Sequence, residues 1–555
     1  MSSARLVLLV AVAACSTPSL DDRDPPDGGI ADGAPVDIPR ALPTCTHHVA
    51  TTGSDVAGTG TAARPWRTVQ FAMSSVGPGA VVCLAPGTYL ENVLVTGSGT
   101  QALPITLTRD PSLAGEVILD GTVPGPGVPQ CWPAIWFYGA SNVRMVRLTI
   151  TAHGNAGFPG PNYGLCTSSG VYVTPDYSVA GSVSDGIELV GNTIRDISTA
   201  RTDQLGIAVS VSSYTPGRAV KNLRILDNTF LRNDTMNDAT GIEVGALSID
   251  GDVHDFEIRG NTFDDTDTSG VEMGGNQGNN LAPNHGVIAD NTFVGSGYAI
   301  GSYGVYLQAA RYILVERNLF EGTGNGVGVL TEPPCGVTDP VLAGFTLVRD
   351  NVFIESRDRD VLIGAFAGSN ACPPLGYQAV DSVYVTNNTM YRTRSLGMPS
   401  IYAPANGSAG ITGDSKILDN LIITDGRLVD VMPGAGAGPV VDNNYYVTPR
   451  AAPFVWNLAD ETFDAWRARG NDPHSTLSTS IILSSVFTGP VPSASGFHLR
   501  ATAPQPPRDA GSLGGSAPSW AAGNAPFGAF SPTLELDFYG GSRDRLRRDI
   551  GADEY

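Results

Sequence analysis

An all-β solenoid of stacked parallel coils is the fold class that this sequence predicts. Three observations point to it. One short phrase returns along the chain: an alternating apolar run, then Asn, then an apolar residue two places on, plainest at Asn228-Thr229-Phe230, Asn261-Thr262-Phe263 and Asn291-Thr292-Phe293. Looser copies start at Asn192, Asn318, Asn351, Asn388 and Asn420, with a degenerate one at Asn443. The spacing varies from 27 to 37 residues, which suits a constant rung with variable loops rather than a helical repeat of fixed length. Composition agrees: 67 Gly, 40 Pro and 16% charged residues in 555 imply many tight turns and little surface helix.

Within a rung the elements follow from periodicity. Ile194, Phe230, Phe263, Phe293, Phe320, Phe353, Met390 and Ile422 stand two residues after each Asn and are all large and apolar. Leu189, Ile225, Ile258, Ile288, Val315, Val348, Val385 and Ile417 stand three before it, next to a mixed position. Period-two alternation with one dry face is strand. The Asn itself is expected to turn the corner at positive φ and to bond its counterparts on neighbouring coils in a ladder. A further strand is expected to start on Gly and a β-branched residue, as at Gly170-Val171, Gly206-Ile207, Gly241-Ile242, Gly270-Val271, Gly304-Val305 and Gly326-Val327. A short helix near Pro65 to Ser75 is expected to close the start, ahead of a strand from Ala80 to Leu84. A second helix is expected from about Asp460 to Arg469.

Net charge is −21, which argues against a nucleic-acid partner. Residues 1–15 read as a targeting segment: Arg5 precedes an apolar run, Leu6 to Ala14, too short to span a bilayer as a helix. Residues 16–44, rich in Asp, Pro and Gly, read as a disordered tether, leaving 45–555 as one domain with a closing region from about 453. Six cysteines remain after Cys15, and they suggest an oxidising compartment. Rung spacing favours Cys131 with Cys166 and Cys335 with Cys372. Cys45 with Cys83 would tie the first strand to the next, although connectivity stays open.

At this point a resemblance is plain. Pro65-Trp66-Arg67-Thr68-Val69-Gln70 through Ala85-Pro86-Gly87-Thr88-Tyr89 is similar to the opening of many secreted β-helix proteins. Leu103-Pro104-Ile105-Thr106-Leu107 to Ile118-Leu119-Asp120-Gly121 continues it, and Asp549-Ile550-Gly551-Ala552-Asp553-Glu554-Tyr555 resembles a common closing phrase. Over about residues 45–555 the chain resembles the right-handed parallel β-helix proteins of the pectate-lyase-like superfamily. Val12-Ala13-Ala14-Cys15 resembles a bacterial lipobox. That implies a lipid on Cys15 and an outer-membrane or cell-surface location reached through the anchor alone. The superfamily holds polysaccharide lyases, glycoside hydrolases, epimerases and non-enzymatic surface proteins, so the fold does not settle the activity. The motifs of the family-nine pectate lyases, the major pectate lyases and the polygalacturonases are absent.

In that superfamily substrates lie along the outward face of one sheet. The Gly-started strand is the candidate, with outward residues Trp136, Tyr172, Ala208, Glu243, Glu272, Tyr306, Gly328, Leu362 and Tyr402. Trp136, Tyr172, Tyr306 and Tyr402 would stack on sugar rings. Glu243 and Glu272, on adjacent strands about 4.8 Å apart, would stand side by side. Asp203, Asp238 and Asp267 precede the same strands, and such hard oxygens suit calcium. Arg201 is the candidate base, preferred to Lys221, whose slot tolerates many residue types. The expected function is a surface-anchored monomer that acts on an acidic polysaccharide, cleaving uronate glycans by β-elimination. Non-catalytic glycan binding or adhesion, and hydrolysis by paired carboxylates, are the alternatives.

Overall fold

The computed structural model describes residues 44–480 apart from segments within 123–132, 155–167, 200–205, 234–244, 265–267, 276–280, 297–301, 332–342, 365–379, 395–396, 405–410 and 434–437, together with Phe487 and Gly551. Cys15, Cys131, Cys166, Cys335, Cys372, Arg201, Asp203, Asp238 and Asp267 lie outside the described residues, as do the proposed tether and most of the closing region.

Alternating sequence becomes three long parallel sheets. The first contains 16 strands and the other two 13 each, and successive rungs are neighbours in every sheet. Each coil runs from the first sheet through the asparagine corner to the second, then to the third, and on to the first sheet of the next rung. The apolar positions read from the sequence fall in register: Leu189 pairs Ile225 and Ile258 pairs Ile288 in the first sheet, while Phe230, Phe263 and Phe293 follow one another in the second. All point inward and form one continuous core. Ring centroids of Phe230, Phe263, Phe293, Phe320 and Phe353 are spaced 4.4 to 4.9 Å apart, with interplanar angles of 9° or less.

The corner departs from expectation in one respect. Positive φ belongs to the residue before each ladder asparagine: Gly191, Asp227, Gly260, Asp290, Arg317, Asp350, Asn387, Asp419 and Asn443. The asparagine itself points inward and bonds. Nδ2 donates to Oδ1 of the next rung at 2.9–3.0 Å from Asn192 through Asn228, Asn261, Asn291, Asn318, Asn351, Asn388 and Asn420 to Asn444. The last member is therefore Asn444, and Asn443 is the turn residue before it. Division of labour explains the shift: one residue absorbs the backbone bend, which frees the next to satisfy buried polar groups. The column ends where Asn444 donates its backbone N–H to the Ser475 hydroxyl at 2.8 Å and Nδ2 to Asp472 at 3.3 Å.

A short helix packs near each end of the described coil. The first helix is Val69–Ser75, shorter than expected because Thr68 is its N-cap. The Glu91 carboxylate accepts from the N–H groups of Val69 and Gln70, each at 2.9 Å. That placement sets a negative group against the positive end of the helix. At the far end a strand Ala459–Glu461 precedes the helix Phe463–Ala468, whose Trp466 is fully buried against Phe454. Cys45 and Cys83 are disulfide-bonded with Cα atoms 5.7 Å apart. Among the described residues no helix is long and apolar enough to cross a membrane.

Candidate functional site

The outward face of the third sheet is set by register. From Trp136 the pairing runs to Tyr172, Ser210, Ser248, Glu272, Tyr306, Gly328, Leu362, Tyr402 and Asp430. Trp136, Tyr172, Glu272, Tyr306 and Tyr402 thus share one column. Two expected members do not join it. Ala208 stands two residues before the column, buried at the corner, and Ser210 takes its place. Glu243 belongs to a small hairpin, paired with Met236 ahead of the strand, and Ser248 stands beside Glu272 instead.

The physical reason lies at the strand start. Aligned there are Gly170, Ala208, Ala246, Gly270, Gly304 and Gly326. A Cβ on Gly270 would approach the Phe293 ring to 2.6 Å, and one on Gly304 would approach Phe320 to 2.5 Å. What this position selects is a small side chain beneath the phenylalanine column, not the pair of Gly with a β-branched residue. Gly206-Ile207 and Gly241-Ile242 match that pair in sequence, but Gly206 and Ile242 sit elsewhere. The signal that finds the true register is the apolar alternation Val209-x-Val211 and Leu247-x-Ile249, which repeats Val171-x-Val173.

The strip has three parts. Trp136 and Tyr172 stack at 5.5 Å at one end, with Trp136 Nε1 donating to Thr174 and the Tyr172 hydroxyl 2.9 Å from Ser212 Oγ. Ser210, Ser248 and Glu272 form the middle, joined by Asp250, which follows Ser248 by two residues on the same face and accepts from its hydroxyl at 2.8 Å. Gly274 makes room for that carboxylate, because a Cβ there would collide with Asp250 Oδ1. Burial pushes the Asp250 carboxyl up to about 6, against the opposing bonds from Ser248 and Tyr214. The third part is aromatic. Tyr303 lies across Gly328 and stacks on Tyr306 at 4.9 Å, Leu362 and Tyr402 pack beside them, and the Arg359 guanidinium covers Tyr402 at 4.8 Å. Asp430 ends the strip, its carboxyl also pushed up to about 6 by burial while Arg427 and Arg359 oppose the shift.

Side chains on neighbouring strands of such a strip are about 4.8 Å apart, so Trp136 and Tyr402 stand roughly 40 Å from one another. Glu272 and Asp250 bring two carboxyls onto adjacent strands. Both are hard oxygen donors of the kind calcium takes. Among the described residues three ligand-type atoms come within 4.8 Å of one another elsewhere, at Cys45, His48 and Asp110, and Cys45 is spent in its disulfide.

No known family model and no curated protein matches the chain. Solved structures similar to it include the GH136 lacto-N-biosidase from Eubacterium ramulus, at 13% identity over 74% of this chain and 68% of that one, with a TM-score of 0.47. The PL6 alginate lyase AlyGC is 19% identical over 70% of this chain and 52% of its own, with a TM-score of 0.42. Pectate lyase Pel9A is 13% identical over 92% of this chain and 96% of its own, with a TM-score of 0.40. Likeness at this level concerns fold and says nothing about chemistry. By its own strand order, registers and stacked core, the chain is a parallel β-helix protein.

Proposed function

We propose that this protein binds and cleaves a polysaccharide along the outward face of the third sheet. The observation that carries the reading is the single in-register column in which Trp136 and Tyr172, then Ser248 and Glu272, then Tyr306 and Tyr402 follow in order, with Asp250 two residues beyond Ser248 on the strand next to Glu272. Half-buried aromatic residues on an outward strip suit sugar rings, and carboxyls between two aromatic stretches suit bond cleavage.

The first reading is β-elimination on a uronate glycan. A base removes the proton next to the uronate carboxylate, the bond to the leaving oxygen breaks, and an unsaturated end remains. Arg201 is the candidate base, and Glu272 with Asp250 would hold calcium, joined by Asp203, Asp238 and Asp267. Calcium bound there would offset the charge of the uronate and acidify that proton. The second reading is hydrolysis, favoured by the raised Asp250: a carboxyl pushed up to about 6 would donate a proton to the leaving oxygen, with the Glu272 carboxyl on the adjacent strand as its partner. Attachment through Cys15 would place this protein, as a monomer on our reading, on the outer surface, within reach of external glycans.

Incubation with pectate, alginate and neutral glycans separates the readings. Ultraviolet absorbance from unsaturated ends identifies elimination. Reducing ends without that absorbance identify hydrolysis, and its rate should then fall as pH rises through about 6. Binding without new ends identifies an adhesin and overturns the catalytic reading. Calorimetric calcium titration of the wild type and Glu272→Gln tests the metal, with equal heats counting against it.

A further inference from the structure

One corner away from the strip, eight successive rungs of the first sheet bend through a residue in the left-handed region. The bend residues are Asn142, Gly186, Asn222, Asp255, His285, Tyr312, Phe345 and Ser382. Most are small or polar, as positive φ favours. Three consecutive rungs carry rings instead, with φ of 55°, 56° and 47° at His285, Tyr312 and Phe345. These rings stack at 4.8 and 5.0 Å with interplanar angles of 4° and 17°. Bulky side chains at positive φ are backbone outliers that persist only where the surroundings hold them.

Arg311 completes the feature. Its guanidinium lies 4.6 Å from the Phe345 ring centroid and 5.8 Å from that of Tyr312. Other arginines of the first sheet meet carboxylates: Arg144 with Glu188, Arg224 with Glu257, Arg259 with Asp290, Arg317 with Asp290 and Arg349 with Glu316. Arg311 differs. Among the described residues its guanidinium has neither an ion pair nor a hydrogen bond, and its Nε is buried without a partner. Burying such a donor unmatched is unfavourable unless a ligand supplies the acceptor. A cavity of about 210 Å³ opens beside it, lined by Asp252, Leu281, Pro283, His285, Arg311 and Tyr312 among others. That is below the roughly 300–1,000 Å³ of most ligand pockets, so the guest is small, about one ring.

We infer that this cavity anchors the acidic group of a single sugar residue, a carboxylate or a sulfate. Arg311 pairs with the acid through its planar fork, held in place by the ring faces beneath it. Leu281 and Pro283 offer an apolar wall to the carbon face of the ring, and Asp252 accepts from its hydroxyls. In a chain with a net charge of −21, an unpaired, rigidly held cation supplies local attraction for an anionic glycan. The inference rests on the glycan reading above and names the contact that would make it selective for acidic chains.

The test is calorimetric binding to the full chain, with oligogalacturonate, a sulfated galactose oligomer and a neutral galactose oligomer as probes. Glu272→Gln is measured in parallel, so that loss of cleavage and loss of anchoring are read separately. Tighter binding of an acidic probe than of the neutral one is expected. Arg311→Ala should weaken that acidic probe about tenfold or more and leave the neutral one unchanged, with Arg311→Lys between. Whichever acidic probe the substitution weakens identifies the group as carboxylate or sulfate. Equal affinity of wild type and Arg311→Ala for both acidic probes, or no preference of the wild type for acid over neutral, overturns the inference. Because Arg311→Lys keeps the charge and the stem, its unchanged thermal midpoint guards against reading unfolding as lost binding.

Discussion

Asn318 shows how much one side chain does in this coil. Its Oδ1 accepts from the backbone N–H and Nδ2 of Asn291, and its own Nδ2 donates to the Ile288 carbonyl and to Asn351. Asn318→Ala leaves two buried donors of Asn291 without an acceptor, and each costs about 1–3 kcal/mol. Denaturant unfolding should show a loss of about 2–5 kcal/mol, and a loss under 1 kcal/mol would contradict the ladder's role. The ladder was legible in the sequence because buried asparagines at rung spacing have few other uses. The turn residue was not: Gly, Asp, Asn and Arg all occupy the position before it, and such a mixture carries no pattern. At Asp430 the charge can be tested directly. Its folded carboxyl is raised to about 6 by burial, and Oδ1 has no hydrogen-bond partner among the described residues. The folded state therefore holds a proton that the unfolded chain releases, so stability present below pH about 4 is lost as pH rises to about 6. Asp430→Asn should be more stable than wild type at pH 7 by up to about 3 kcal/mol, and should show no gain near pH 4.

At the scale of the element, strands owe their position to what stacks beneath them. Gly304 sits under Phe320 and 3.1 Å, measured from an added Cβ, from the Gly326 carbonyl. Gly304→Ala must push the ring or the strand aside, and a loss of about 1–3 kcal/mol in denaturant unfolding is expected. An unchanged midpoint would show that the core column yields freely. The inward faces of the first and second sheets were readable because large apolar residues recur at fixed offsets from the asparagine. The third sheet was harder. Loops of varying length separate it from the asparagine, so offsets drift and only local alternation fixes the register. Two Gly-led matches, at Gly206 and Gly241, drew the outward position to Ala208 and Glu243, whereas the strand places Ser210 and Ser248 there. Asp250, Tyr303, Arg359 and Asp430 were missed for the same reason, since they become neighbours of the strip only once the register is known.

For the whole molecule, the coil turns residues distant in sequence into a continuous surface. Aromatic residues flank carboxyls along the strip, and Arg311, unpaired among the described residues, lies around the next corner. Aromatic and acidic residue types were visible in the sequence, but their order along the face was not. The anchor is tested separately: Cys15→Ser should abolish lipid labelling in cells, and retained labelling would refute the lipobox. The central claim, that the strip through Glu272 is where glycan is cut, is tested most directly by counting new chain ends. A panel of uronans and neutral glycans should be incubated with wild type, Glu272→Gln and Glu243→Gln. New ends should appear with the wild type, fall by about 100-fold or more in Glu272→Gln, and stay within a few-fold in Glu243→Gln. Full activity in Glu272→Gln, or neither new ends nor binding with any glycan, would contradict it.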